Sequence, residues 1–196
     1  MRTKAPNQAD KMLAAAIGLF GTKQFHEVRM EDIAAAAGVG KGTLYRYFRN
    51  KDDLYFVLLT RAAKEIQDRL AVAIAKGGSA RTKLVSIVAA GIGYFDEQPF
   101  VAPLIQQVEC LHGTGSPWQT ARDAFVRLVC DIFNSATQAG EFTVPNAEQN
   151  AMWFIGGVRH LAIFGKRPRP SDLPETIVGD FLDGAARCLP GSTLKC

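Results

Sequence analysis

The chain has 196 residues, 47% of them apolar and 9% aromatic, which is ample for a buried core in one large or two small domains. No apolar run approaches the ~20 residues of a membrane-spanning helix, and the basic start MRTKAPNQADK is not followed by the apolar stretch of a signal peptide, so the expected location is the cytoplasm. Cys110, Cys130, Cys188 and Cys196 show no C-x-x-C or other metal-ligand spacing; they read as thiols in a reducing compartment, with no metal and no cofactor implied.

The first predicted helix covers about residues 8–23 and places Leu13, Ala16, Ile17 and Phe20 at i, i+3, i+4 and i+7. In the following stretch, EDIAAAAGVGKGTLYRYFRNKDDL (31–54), Ile33, Ala34 and Ala37 make a small apolar face. Gly38 supplies the positive φ of a tight turn, and Val39 plugs that turn against the core. From Lys41 onward, Leu44 and Phe48 lie four apart and pack inward, while Gly42, Thr43, Arg46, Tyr47 and Asn50 share the opposite face, flanked by Lys41 and Tyr45. Donors, aromatic rings and a guanidinium grouped in this way suit a helix laid in the DNA major groove. Gly42 lets the backbone approach a phosphate, and Lys51 at the next helix start is a second phosphate candidate.

A long helix is predicted over 51–76, with Asp52 and Asp53 in its first turn and Gly77-Gly78 ending it. Three short helices make a small core, so they are expected to lean on it. Beyond Ser79 the chain shows neither strand alternation nor repeats, and helical segments run over about 80–97, 99–112, 117–139, 146–165 and 174–189. Pro103 kinks or starts the second of these. The segment 146–165 is apolar almost all round, which predicts burial on more than one side. The last segment carries a stripe at Val178, Phe181, Leu182, Ala185 and Leu189.

Charge follows the same division. Residues 1–51 hold nine basic against four acidic side chains, a balance of +5, while residues 52–196 hold fourteen against fifteen, a balance of −1. The positive excess therefore lies wholly on the end that carries the helix-turn-helix, as phosphate binding requires.

From about Gln8 to Leu59 the chain resembles the N-terminal domain of the TetR family of bacterial repressors. The resemblance rests on Ala16, Phe20 and Gly21, on Ile33-Ala34 and Ala37-Gly38-Val39, on Lys41-Gly42-Thr43-Leu44-Tyr45, and on Tyr47-Phe48 and Lys51 to Leu54. Two positions depart from the family's pattern: Arg29 stands where Thr or Ser usually caps the second helix, and Gly40 where Ser is common. The resemblance implies an all-α protein of about nine helices. A DNA-binding domain over 6–66, with its helix-turn-helix at about 29–48, would precede an effector-binding and dimerisation domain over 67–196. The implied DNA-binding set is Arg29, Met30, Gly40, Lys41, Gly42, Thr43, Tyr45, Arg46, Tyr47 and Lys51.

For the body, the resemblance implies an effector pocket and a dimer interface built from the last two helices. Candidate lining residues are Phe95, Leu104, Gln107, Val108, Leu111, His112, Trp118, Phe125, Trp153 and His160, with Phe100 beside them, a mixture that suits a largely apolar aromatic or acyl ligand. Candidate dimerisation residues are Phe154, Val158, Leu161, Val178, Phe181, Leu182 and Ala185. The expected function is a homodimeric, ligand-responsive repressor of a palindromic operator. The rival is a protein–protein adaptor that keeps the fold without reading DNA, which Lys41, Thr43, Arg46 and Tyr47 on the outer face argue against. No phosphate loop, metal cluster or nucleophile–base arrangement points to an enzyme.

Overall fold

The computed structural model describes residues 7–102, 104–105 and 117–187, without the side chains of 117–118 and 185–187. Those residues form eight α-helices and a short 3₁₀ turn, with no strand among them. They divide into two compact units, one containing the described residues of 1–63 and 99–118, the other those of 64–98 and 119–196.

The first unit begins with α1 (Gln8–Phe20). Asn7 caps it: its side-chain oxygen accepts from the Asp10 N–H at 2.9 Å, and the Asp10 carboxylate accepts from the Asn7 N–H at 3.3 Å. Met12, Leu13, Ala16 and Phe20 are buried, which is the expected stripe with Met12 added and Ile17 only half-buried. After the 3₁₀ turn Phe25–Glu27 come α2 (Met30–Ala36) and α3 (Lys41–Tyr47). The turn between them depends on Gly38 at φ +66°, where a side chain would be strained. Ile33, Ala34, Leu44 and Phe48 are buried there.

Helix α4 (Lys51–Ala75) is capped by Asn50, with Asp53 reaching back to the residue before it. The Asn50 side chain accepts from the Asp53 N–H at 2.8 Å, and the Asp53 carboxylate accepts from the Arg49 N–H at 3.0 Å. Leu54, Tyr55, Leu58, Leu59, Ala62 and Ala63 are buried along its first half, so the three short helices do share their core with α4. The residues of 99–105 belong to the same unit, and the buried Tyr55 hydroxyl donates to the Leu104 carbonyl. Burial raises the Tyr55 pKa, so the hydroxyl stays protonated and remains a donor.

In the second unit, α5 (Ala80–Glu97) packs against α7 (Ala147–Phe164) and α8 (Leu173–Arg187), with α6 (Pro117–Ala139) completing the helices. Gly77 and Gly78, at φ +73° and +103°, separate α4 from α5, and Gly140 at +69° ends α6. Leu84, Ile87, Val88, Ile92, Tyr94 and Phe95 bury one side of α5. Phe133 of α6 lies at the middle of an aromatic cluster. It stacks on Phe181 of α8 at 5.7 Å and meets Phe154 of α7 and Phe142 edge-on at 6.3 Å each.

The end of α7 is closed by an ion cluster. Arg169 donates to the Leu161 and Ala162 carbonyls, both at 2.8 Å, and to the Asp96 carboxylate of α5; Arg167 donates to the same carboxylate at 2.8 Å. The Arg169 hydrogen bond, then that of Arg167, holds the Asp96 pKa below the ordinary carboxylate value. A depressed folded pKa makes the stabilisation complete above the unfolded value of ~3.9 and removes it as pH falls through the lower folded value. With Asp96 about a third exposed, Asp96→Asn is expected to cost about 1–2 kcal/mol at pH 7 after solvent screening, and to flatten the loss of stability below pH ~4. Urea unfolding of both forms from pH 3 to 7 measures this; equal stabilities at pH 7 would show the cluster to be neutral.

Candidate nucleic-acid interface and dimer face

Helix α3 is only seven residues long, and its orientation comes from two buried anchors, Leu44 (0% exposed) and Phe48 (4%). Gly40 caps its start without a side chain, its carbonyl accepting from the Thr43 and Leu44 N–H groups at 2.9 and 3.2 Å. Fixing the two anchors inward turns Lys41, Gly42, Tyr45, Arg46 and Tyr47 outward, with Thr43 half-buried between them. A Cβ on Gly42 would meet nothing within 4 Å, so the backbone there is open to close approach. Arg46 lies 5.8 Å over the Tyr47 ring, and Lys41 the same distance over that of Tyr45. The Tyr47 hydroxyl reaches Gln8 of α1 at 3.4 Å.

Two features moderate the charge of this surface. The Lys41 ammonium is paired with Glu31 of α2 at 2.5 Å. That contact raises the Lys41 pKa and lowers that of Glu31. Both side chains are largely exposed, so the pair is weak and Lys41 can exchange Glu31 for another anion at little cost. Lys51, by contrast, is turned inward. Its ammonium donates to the backbone carbonyls of Phe25 and Val28 at 2.5 and 2.9 Å and lies 4.2 Å over the Phe25 ring, and burial lowers its pKa.

Elsewhere in the expected set, Arg29 is exposed at the N-cap of α2, and the missing cap hydroxyl is replaced from the other direction: the Asp32 carboxylate accepts from the Arg29 N–H at 3.1 Å. The Met30 side chain is only 6% exposed, because the first residue of α2 points into the core, which leaves the backbone as its exposed part. Asn50, also expected on that surface, has its side-chain oxygen engaged as the cap of α4.

Of the expected effector-lining residues, Phe95 and Phe125 belong to the second unit, where Phe95 is buried and Phe125 half-buried, whereas Leu104, buried, and Phe100, half-buried, belong to the first. Gln107, Val108, Leu111 and His112 lie outside the described residues, as do Pro103 and the side chain of Trp118. Trp153 and His160 are exposed on the outer side of α7, away from the interior of the single chain.

Of the expected dimer stripe, the side chain of Ala185 lies outside the described residues. Phe154, Val158, Val178 and Leu182 are at most 8% exposed, and half-buried Phe181 has its ring 4.9 Å from that of Phe154, so these residues hold α7 and α8 to their own chain. The physical reason is the aromatic cluster around Phe133, which draws that side of α7 inward. Another stripe of α7 is left exposed among the described residues: Trp153 is 66% exposed, Leu161 38% and Phe164 61%, with exposed His160 between them, while Met152, 51% exposed, lies off that stripe. Exposed Gly156 and Gly157 lie in the middle of that stripe with nothing near their Cβ positions. Of this face, sequence periodicity placed only Leu161 in the expected dimer stripe, because a helix apolar all round has no preferred side. The available signal was the spacing 153, 157, 160–161 and 164 with small residues at its centre.

Residues 12–58 match the family model described as bacterial regulatory proteins, tetR family. A fatty acid metabolism regulator protein of Bacillus subtilis (strain 168) is 28% identical over 88 residues, covering 45% of this chain and less than half, 45%, of that relative. An uncharacterized HTH-type transcriptional regulator of Mycobacterium tuberculosis is 24% identical over 174 residues, which is 89% of this chain and 83% of the relative. Among solved structures, that of the transcriptional regulator FadR from Bacillus subtilis in complex with stearoyl-CoA superposes with a TM-score of 0.75 at 18% identity, covering 89% of this chain and 97% of that one. At that identity the likeness establishes the shared fold.

Proposed function

The chain belongs to the tetR family of bacterial regulatory proteins, and on that premise we propose that it is a homodimeric transcriptional repressor that reads an inverted-repeat operator and is released by a small, largely apolar effector. The observation that carries this reading is the division of α3, whose Leu44 and Phe48 are inside while Lys41, Tyr45, Arg46 and Tyr47 are outside beside the open Gly42 backbone. In this reading Thr43, Arg46 and Tyr47 contact base edges, with Arg46 suited to guanine, and Lys41, Tyr45 and the Gly42 backbone hold phosphates.

The exposed stripe of α7 supports a second copy as its occupant. Single exposed apolar residues are ordinary, but Trp153, Leu161 and Phe164 along one stripe of α7, with Gly157 between them allowing close backbone approach, suit an isologous interface. Two readers in one dimer then meet half-sites about one helical turn apart. The relative solved with stearoyl-CoA supports an acyl thioester or similar apolar chain as the effector class.

Selection of bound fragments from random duplex DNA, with Arg46→Ala alongside, tests the reading. The wild type is expected to enrich an inverted repeat. The variant is expected to relax preference at one position in each half-site, at a cost of about 1–3 kcal/mol. Absence of an enriched sequence both with and without a long-chain acyl-CoA would overturn the proposal.

A further inference from the structure

Lys51 is the one cation of the expected DNA-binding set whose charged group is used inside the protein. Two of its three N–H bonds go to the backbone carbonyls of Phe25 and Val28, and the ammonium rests on the face of the Phe25 ring at 4.2 Å. That ring is itself held, stacked on Phe20 at 5.7 Å and edge-on to Tyr55 at 4.8 Å. The ammonium and the aromatic rings therefore both bear on the same short segment, Phe25 to Val28.

The placement of that segment matters because it leads directly into α2. Val28 is buried (1% exposed), and the N-cap of α2 follows at Arg29. Helix α2 has only seven residues, too few to hold its direction by intrinsic helix stability. It carries α3 through the Gly38 turn. An error of direction at residue 28 is thus transmitted to Arg46 and Tyr47.

We propose that Lys51 is a positioning residue for DNA reading, acting through the carbonyls of Phe25 and Val28 to set the entry of the helix-turn-helix, and is not a phosphate ligand. The inference rests on the DNA-reading function proposed above, but its geometric part does not. Lysine suits the role because a tetrahedral ammonium directs two N–H bonds to two carbonyls while its stem covers apolar surface. A planar guanidinium on a longer stem does not reproduce that seat.

Two measurements on Lys51→Met test this, with Lys51→Arg and Lys41→Met as references. The first is amide hydrogen exchange of the DNA-free full chain over residues 28–34. Exchange at residues 28–30 is expected to quicken in Lys51→Met and to change less in Lys41→Met, which removes only the exposed pair with Glu31. The second is affinity for the selected operator across a salt series. Lys51→Met is expected to bind about tenfold more weakly at every salt concentration, with the slope of log affinity against log salt unchanged. Lys41→Met is expected to lower that slope by about 0.9, and Lys51→Arg not to restore affinity. A slope lowered by about 0.9 in Lys51→Met, full affinity in Lys51→Arg, or unchanged exchange would each overturn the inference. Failure of the wild type to select any DNA would instead sink the DNA reading, leaving hydrogen exchange to decide whether Lys51 holds the segment.

Discussion

Trp153→Asp is expected to leave the chain folded but monomeric, and to lower affinity for an inverted-repeat operator by at least about 100-fold. Trp153 is 66% exposed, so the fold of the single chain is expected to tolerate the change. At the centre of an isologous interface the same change is made twice and places two carboxylates in an apolar contact without partners. Loss of the dimer removes the avidity of two linked readers, a factor of ~10²–10⁴. Light scattering gives the mass, and binding to a full operator against a half-site gives the affinity. A dimer that survives Trp153→Asp and Phe164→Asp together would place the second copy elsewhere.

Phe133→Ala is expected to act in the opposite way, costing about 3–5 kcal/mol of stability. Its ring is 1% exposed and lies against Phe142, Phe154 and Phe181, so truncation leaves a hole lined by three aromatic rings that cannot collapse without moving α7 and α8. Against a typical 5–15 kcal/mol for a whole domain this is a large fraction. Urea unfolding at fixed protein concentration measures it. A cost below about 1 kcal/mol would mean that the cluster is not what binds α7 and α8 to the body. The two variants together test the assignment of the two sides of α7, since one should change assembly with little loss of fold and the other the reverse.

That assignment bears on regulation as well. Helix α4 belongs by its first half to the unit that carries the reader and by its second half to the body, the division falling between Ala63 and Lys64. Leu104, a candidate effector-lining residue, accepts a hydrogen bond from Tyr55 in the first half of α4. An effector that binds two arrangements of residues 99–105 unequally would therefore bias the unit that carries α3, and coupling of ~1–3 kcal/mol would change operator affinity 5–150-fold.

The sequence by itself determined the parts of this protein that depend on local chemistry. Gly38 between two short apolar faces specified a turn with positive φ, and the i, i+4 pair Leu44 and Phe48 specified which side of α3 is inside. Asp53 lies where a helix start favours it, and the glycines after Ala75 mark a helix end. Each of these signals is read within a few residues, so no tertiary partner is needed to interpret it. Outward-facing Lys41, Tyr45, Arg46 and Tyr47 followed from the inner anchors alone.

Only the tertiary structure decided the direction of side chains whose chemistry suits either side. On α7, Phe154 and Trp153 are adjacent apolar residues, and periodicity ranks neither as interior. The rings of Phe133 and Phe181 claim Phe154 and leave Trp153 exposed. Met30 reads as part of a DNA-facing helix start and is buried because α2 packs on α1. A lysine stem is long enough to turn toward solvent or to span apolar surface, and the choice at Lys51 was made by two carbonyls more than twenty residues away in the chain. Local sequence encodes period and turn chemistry; which of two equally suitable faces is buried is a long-range energy difference, and it exists only once the partner helices are in place.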